Sequence, residues 1–276
     1  MESFAIVVLV VLSIVVSTVG RMRGAAKVPV IFWLLLLLAA VVPLGTGWMV
    51  LNKGEVVAQA SMKAVKDHVQ LEVPEGHALL VTGLLNTEDG DSEDAYKTSY
   101  TFRVQGNNWK EKVVGEITKQ NEGKKELKGL EGQGITESGK KPSNKTGQHV
   151  QDRFVLKGSG LIDLLVENYS GTAASELQIE VIPAPPSPLI LWTVAIVLSI
   201  LGIYLEAWHS CDKVAGDLAG ISMYAIFLAD GITPTASKVD VMLAFLPGFF
   251  LGWGLVAGLA YLIVKYVQTS NKEIAQ

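Results

Sequence analysis

The sequence is almost empty of the residues that build covalent and metal frameworks. It has one cysteine, Cys211, which excludes an intrachain disulfide, and residues 53–186 contain none. A fold in that region must therefore rest on its apolar core alone. A cysteine-free domain outside the cytoplasm fits a bacterial envelope better than a eukaryotic secretory lumen. Histidine is as scarce: His68, His77, His149 and His209 are the only four. No P-loop, G-x-S-x-G or H-E-x-x-H motif occurs, so the expectation is a protein without enzymatic activity and without a cofactor. Basic excess is missing too. The 23 Lys and Arg face 27 Asp and Glu, a balance that gives no footprint for nucleic acid.

What the sequence does have is a sharp division of charge. Residues 53–186 hold 16 of the Lys and Arg and 20 of the Asp and Glu, and the remainder is dominated by apolar runs. A run of about 20 apolar residues crosses a bilayer. Four stretches meet that measure, near 4–19, 28–50, 188–208 and 239–264. A fifth, 214–232, carries Asp217 near its start and Asp230 near its end, and would either span or lie re-entrant. The expected fold is a membrane α-helical bundle of about five transmembrane helices with an inserted extracytoplasmic all-β domain, an antiparallel β-sandwich. Residues 1–52 carry two helices, 53–186 the β domain, and 187–276 three helices and a short cytoplasmic tail.

Orientation follows from the positive charges. Arg21, Arg23 and Lys27 lie between the first two apolar stretches, and short loops obey the positive-inside rule best. The first stretch has Glu2 where a signal peptide has basic residues and lacks a small-x-small cleavage site, so it reads as a retained anchor. Alternation then places the insert outside and Lys265 and Lys272 inside, provided 214–232 spans. The chain is thus expected in a bacterial inner membrane, with lipid and other membrane-protein subunits or copies of itself as partners.

Within the insert, runs such as HALLVTGLL, YKTSYTFRV and ELQIEVI are short, rich in β-branched and aromatic residues, and separated by turn formers. In YTFRV, residues Tyr100, Phe102 and Val104 share one face. Seven strands are predicted in this way. Residues 54–67 fit either a helix continuing the second span or a first strand. Residues 119–148, rich in Gly, Lys, Glu, Asn and Ser, read as a long polar loop. Four prolines within 183–188 predict a stiff connection into the third span.

Candidate sites are few. Glu206, His209, Cys211 and Asp212 fall within seven positions at the end of an apolar run. Glu206 and His209 have the Glu-x-x-His spacing of carboxylate-bridged metal bundles, but such sites need a second copy of the motif. The cluster is expected to be the wet end of a span, and a metal there would need ligands from another chain. Asp89, Asp91 and Glu93 alternate as calcium ligands do, without the glycine and glutamate positions of an EF-hand; a solvated turn is the expectation. Asp230 is the acid placed deepest in a span by this reading, and intramembrane acids are functional candidates. Gly248 and Gly252, and Gly254 and Gly258, are each four apart, a spacing that lets helices approach closely. At about 100° per residue the two pairs occupy opposite faces, predicting a helix packed between two neighbours. The function expected is that of an accessory or assembly subunit of a larger envelope complex, presenting its β domain for protein contact. The competing expectation is a homo-oligomeric channel or transporter subunit.

Overall fold

Of the helical stretches apolar enough to cross a membrane among the described residues, the least apolar, Val214–Gly231, is the one most enclosed by the others. The computed structural model describes residues 2–22, 30–63, 65–86, 97–119, 150–209 and 213–274. The chain divides into two units, Met1–Gly54 with Ala184–Gln276, and Glu55–Pro183.

The first unit is helical: α1 (Glu2–Met22), α2 (Val30–Leu51), α3 (Pro188–His209), α4 (Val214–Gly231), α5 (Lys238–Leu243), α6 (Phe245–Phe249), a π-helical segment (Phe250–Val256) and α7 (Ala257–Ile274). Four stretches are long and apolar enough to cross a membrane: Val30–Leu51, Pro188–Ala207, Val214–Gly231 and Lys238–Val267. Of the two alternatives open for 214–232, the structure has one uninterrupted helix, Val214–Gly231. The expected first span falls in α1, within which Phe4–Ser17 is an apolar helical stretch among the described residues. The last stretch, apolar between Asp240 and Lys265, is broken into shorter pieces around Pro247, which lacks the N–H that a continuous helix requires.

Helix α4 packs against α2, α3, α6 and the π segment. Its low apolarity reflects small residues. Gly216, Ala219 and Gly220 bring neighbouring backbones close, as small residues do between apolar helices. A Cβ on Gly252 would overlap the backbone of Gly220, one on Gly248 would lie 2.9 Å from Tyr224 N, and one on Gly216 would lie 2.8 Å from the Ala257 methyl. Along α4 these contacts step by four residues, 216, 220 and 224. On the opposing strand of helix they step 248, 252 and 257, four and then five. The π segment absorbs the extra residue, because a π turn closes on i+5 where an α turn closes on i+4. Tyr224 completes the contact, donating its hydroxyl to the Val241 carbonyl at 2.9 Å and meeting the Phe245 ring edge-on at 5.2 Å.

The second unit has eight strands: β1 (Ala58–Met62), β2 (His68–Val73), β3 (His77–Leu85), β4 (Lys97–Gln105), β5 (Lys110–Thr118), β6 (Gln151–Phe154), β7 (Gly160–Gly171) and β8 (Ala174–Pro183). They form two four-stranded sheets of order β1-β8-β3-β6 and β2-β7-β4-β5, in which each pairing is antiparallel. Residues 58–62, which sequence left open between helix and strand, are strand β1. The inward face of β4 is as expected, with Tyr100, Phe102 and Val104 buried; on the other face Arg103 is exposed but Thr101 is buried as well. One core draws on both sheets, with Leu79, Val81, Leu177 and Ile179 from the first and Phe102, Val104, Ile162 and Leu164 from the second.

Polar bonds fix how the sheets meet. The Tyr100 hydroxyl on β4 donates to Asp152 Oδ2 on β6 at 2.6 Å, and the same oxygen accepts from the Glu116 N–H at 3.0 Å. Gly115 lies under this bond, where a Cβ would overlap both the phenol oxygen and the carboxylate. Where the chain passes from β7 to β8, and so from one sheet to the other, Tyr169 donates to the Ala174 carbonyl at 2.5 Å and Thr98 Oγ1 accepts from the Ala174 N–H at 2.9 Å. Gly171 turns this corner with φ +90°, a conformation glycine adopts without steric cost.

Burial and the adjacent Asp152 carboxylate push the Tyr100 phenol above its usual range, and burial raises Tyr169 as well. Both shifts favour the neutral phenol in the folded state. Their contribution to stability is therefore complete below about pH 10, where unfolded phenols ionise, and is lost as pH rises beyond it. Tyr100→Phe is expected to cost about 1–2 kcal/mol at neutral pH and to flatten the alkaline decline, as read by denaturation of the full-length protein between neutral pH and pH 11. Gly252→Val should cost about 1–3 kcal/mol or prevent the helices from closing, visible as a lowered melting temperature in detergent; an unchanged melting temperature would contradict the close approach to Gly220.

Candidate functional site

Among the described residues, the helical unit buries two carboxylates, Glu206 of α3 and Asp217 of α4, and both lie at the N-terminal end of α4. A helix N-terminus leaves its first N–H groups without intrahelical partners and carries partial positive charge. Lys213, just before α4, sits at φ 64° and offers no side-chain cap. Glu206 of α3 supplies what is missing: its Oε1 accepts from the Ala215 N–H at 2.8 Å, and the residue is 8% exposed. Asp217, in the first turn of α4 and 2% exposed, accepts a short hydrogen bond from the Ser17 hydroxyl of α1. A buried acid in apolar surroundings is costly unless hydrogen-bonded, and each of these acids is.

Asp217 also borders a cavity of about 120 Å³ between α1, α4 and the α6–π region. Leu12, Ser13 and Val16 of α1 form one side. Gly220 and Ile221 of α4 lie beside the acid. The opposite side is aromatic: Phe245, Phe249 and Trp253 line it in sequence, with Phe245–Phe249 centroids 5.9 Å apart and Phe249–Trp253 stacked at 6.1 Å with 20° between planes. Trp253 is the middle of the π segment, and its ring takes the Lys213 ammonium at 5.7 Å from the centroid.

The residues singled out from sequence fall differently. Glu206 is buried and occupied as a remote cap of α4. His209 is the last residue of α3, and Cys211 and Asp212 lie outside the described residues. Asp89, Asp91 and Glu93 also lie outside them, as does nearly all of the 119–148 loop. Among the described residues, no group of three or more His, Cys, Asp or Glu gathers to hold a metal ion. Asp230 is exposed at the end of α4, whereas Asp217, which sequence reading treated only as a blemish in a span, is enclosed. Gly248 and Gly252 face α4, while Gly254 and Gly258 have nothing within 4 Å of where a Cβ would stand. The stretch that carries them contacts both α3 and α4, but no neighbour approaches within 4 Å at Gly254 or Gly258 among the described residues. The signal that would have found Asp217 is its place in the first turn of a helix rich in Gly and Ala, where an acid suits the helix end.

Glu206→Ala would strand the buried Ala215 N–H and should lower stability by about 1–3 kcal/mol. Glu206→Gln keeps an acceptor oxygen and should recover most of that loss. Thermal unfolding of both variants in detergent measures the difference, and equal losses would contradict the capping role. No family model matches the chain, and neither a curated protein nor a solved structure matches it.

Proposed function

We propose that the chain is a non-enzymatic integral membrane protein of a bacterial inner membrane, an accessory or assembly subunit of a larger envelope complex. In this reading five helices span, residues 53–186 are extracytoplasmic, and the β unit is a β-sandwich of jelly-roll type that offers its surface to a partner protein. The order β1-β8-β3-β6 and β2-β7-β4-β5 supports the jelly roll, since an eight-stranded, two-sheet double Greek key has this connectivity. Arg21, Arg23 and Lys27 support the orientation, and the uninterrupted α4 supports the fifth span.

One observation carries the assembly role. Gly248 and Gly252 show what paired glycines accomplish in this protein, which is backbone-to-backbone contact with α4. Gly254 and Gly258 repeat the spacing on a face that meets nothing within 4 Å, flanked by the exposed Leu255, Leu259 and Leu262. Small residues bordered by leucines suit a helix from another subunit. The second reading, a homo-oligomeric channel or transporter subunit, draws on Asp217, an acid enclosed among helices.

Native mass spectrometry after extraction in mild detergent separates the two. Unlike subunits in reproducible stoichiometry are expected, with their loss in a Gly254→Leu, Gly258→Leu variant that still folds by circular dichroism. A closed homomeric ring would transfer support to the pore reading. A monomer in every detergent would defeat both.

A further inference from the structure

The polar side chains on the walls of the cavity beside Asp217 are already engaged. Asp217 accepts from Ser17 and has a further interaction, and the Ser13 hydroxyl donates to the Leu9 carbonyl at 2.8 Å. Phe245, Phe249 and Trp253 pack on one another in a row. The occupant this space selects is therefore apolar. Apolar cavities stay dry, and one of about 150 Å³ takes benzene; about 120 Å³ takes a comparable run of methylene groups. Position decides which apolar group reaches it. α1 packs chiefly on α2 and α5, which leaves a cleft between α1 and the last helical stretch, floored by Gly220 and Ile221 of α4. Leu12 and Val16 on one lip and Phe249 on the other are exposed, so the cleft opens onto the apolar outer surface of the helices. Its aromatic wall runs for about 12 Å, at 1.5 Å per residue from Phe245 to Trp253. At the Trp253 end stands a cation, the exposed Lys213, with its ammonium 5.7 Å from the ring centroid. No carboxylate among the described residues pairs with it, and an ammonium has three donors, so the ring leaves it able to bond an anion.

We propose that this cleft holds part of one acyl chain of an anionic phospholipid, with the lipid phosphate on Lys213. Apolar wall, tryptophan and lysine follow one another as chain, headgroup boundary and phosphate do in a lipid. Tryptophan favours that boundary, and a lysine there attracts anionic headgroups. Asp217, one helical turn from Lys213 and engaged by Ser17, is part of the wall and not a ligand. Such a site rests on the membrane reading above but is independent of any assembly, because one chain supplies all of it.

The test reconstitutes full-length protein in vesicles of equal phosphatidylglycerol and phosphatidylcholine with the same acyl chains, re-extracts it in mild detergent, and counts retained lipid by native mass spectrometry. One phosphatidylglycerol per chain is expected, in preference to phosphatidylcholine. Lys213→Gln should cut that preference about fivefold, which is what one basic residue near a charged lipid surface contributes. Ser13→Leu, which extends a side chain into the cleft, should lower retention of both lipids. Lys265→Gln, on an exposed part of α7, should change neither. Equal retention of the two lipids, a preference untouched by Lys213→Gln, or retention untouched by Ser13→Leu would overturn the proposal. The comparison of the two lipids needs no variant and so stands even where a substitution prevents folding. An alkaline carbonate wash of the source membranes tells the two possible failures apart. Protein released by the wash would defeat the membrane reading and the site with it, whereas embedded protein without a lipid preference would defeat the site alone.

Discussion

The helical unit depends on close backbone approach to α4. Gly216, Gly220 and the backbone at Tyr224 receive Ala257, Gly252 and Gly248 at distances that leave no room for larger side chains. Small residues let these backbones approach, and close packing with a few hydrogen bonds holds them there. Everything placed on the other side of that contact follows from it. The π segment keeps Ala257 in register, and in doing so it fixes Trp253 beside Gly220, the aromatic wall opposite α1, and the outward direction of Gly254 and Gly258.

The β unit reaches the same end by different means. Its core is made of side chains from both sheets, and its few cross-sheet polar bonds sit at places where the backbone permits nothing bulkier: the Tyr100–Asp152 bond over Gly115, and the β7–β8 corner at Gly171. At Gly252 and Gly115 the missing side chain marks contact rather than flexibility. In one unit it admits a helix, in the other it admits a phenol.

The apolar helices and most of the strands were legible in the sequence. Alternation in YTFRV is a local property, because successive side chains of a strand point to opposite faces whatever lies beyond, and Tyr100, Phe102 and Val104 are buried accordingly. β1 escaped because AQASM has too few large apolar residues to alternate visibly. Residues 214–232 read as the weakest of the five for a physical reason: hydropathy measures suitability for lipid, and α4 is enclosed by other helices. Its Gly, Ala, Ser and Asp lower the score at the positions where neighbours come nearest. Asp217 went unrecognised because its partner Ser17, 200 positions earlier in the chain, is brought to it only by folding. The π segment is equally hidden, since an extra residue is detectable only against the helix it must match.

The pairing of β1 with β8 has a topological consequence. Ala58 lies opposite Val181, so the first and last strands of the β unit are immediate neighbours in one sheet. The chain leaves the helices at α2 and returns at α3 through two adjacent points. From the standpoint of the helices, more than a hundred residues behave as a short loop joining one helix to the next, and the entropy of closing that loop is borne by the β fold itself. A domain attached in this way is free to diversify in sequence, or be exchanged for another with neighbouring ends, without altering the connectivity of the helices that carry it.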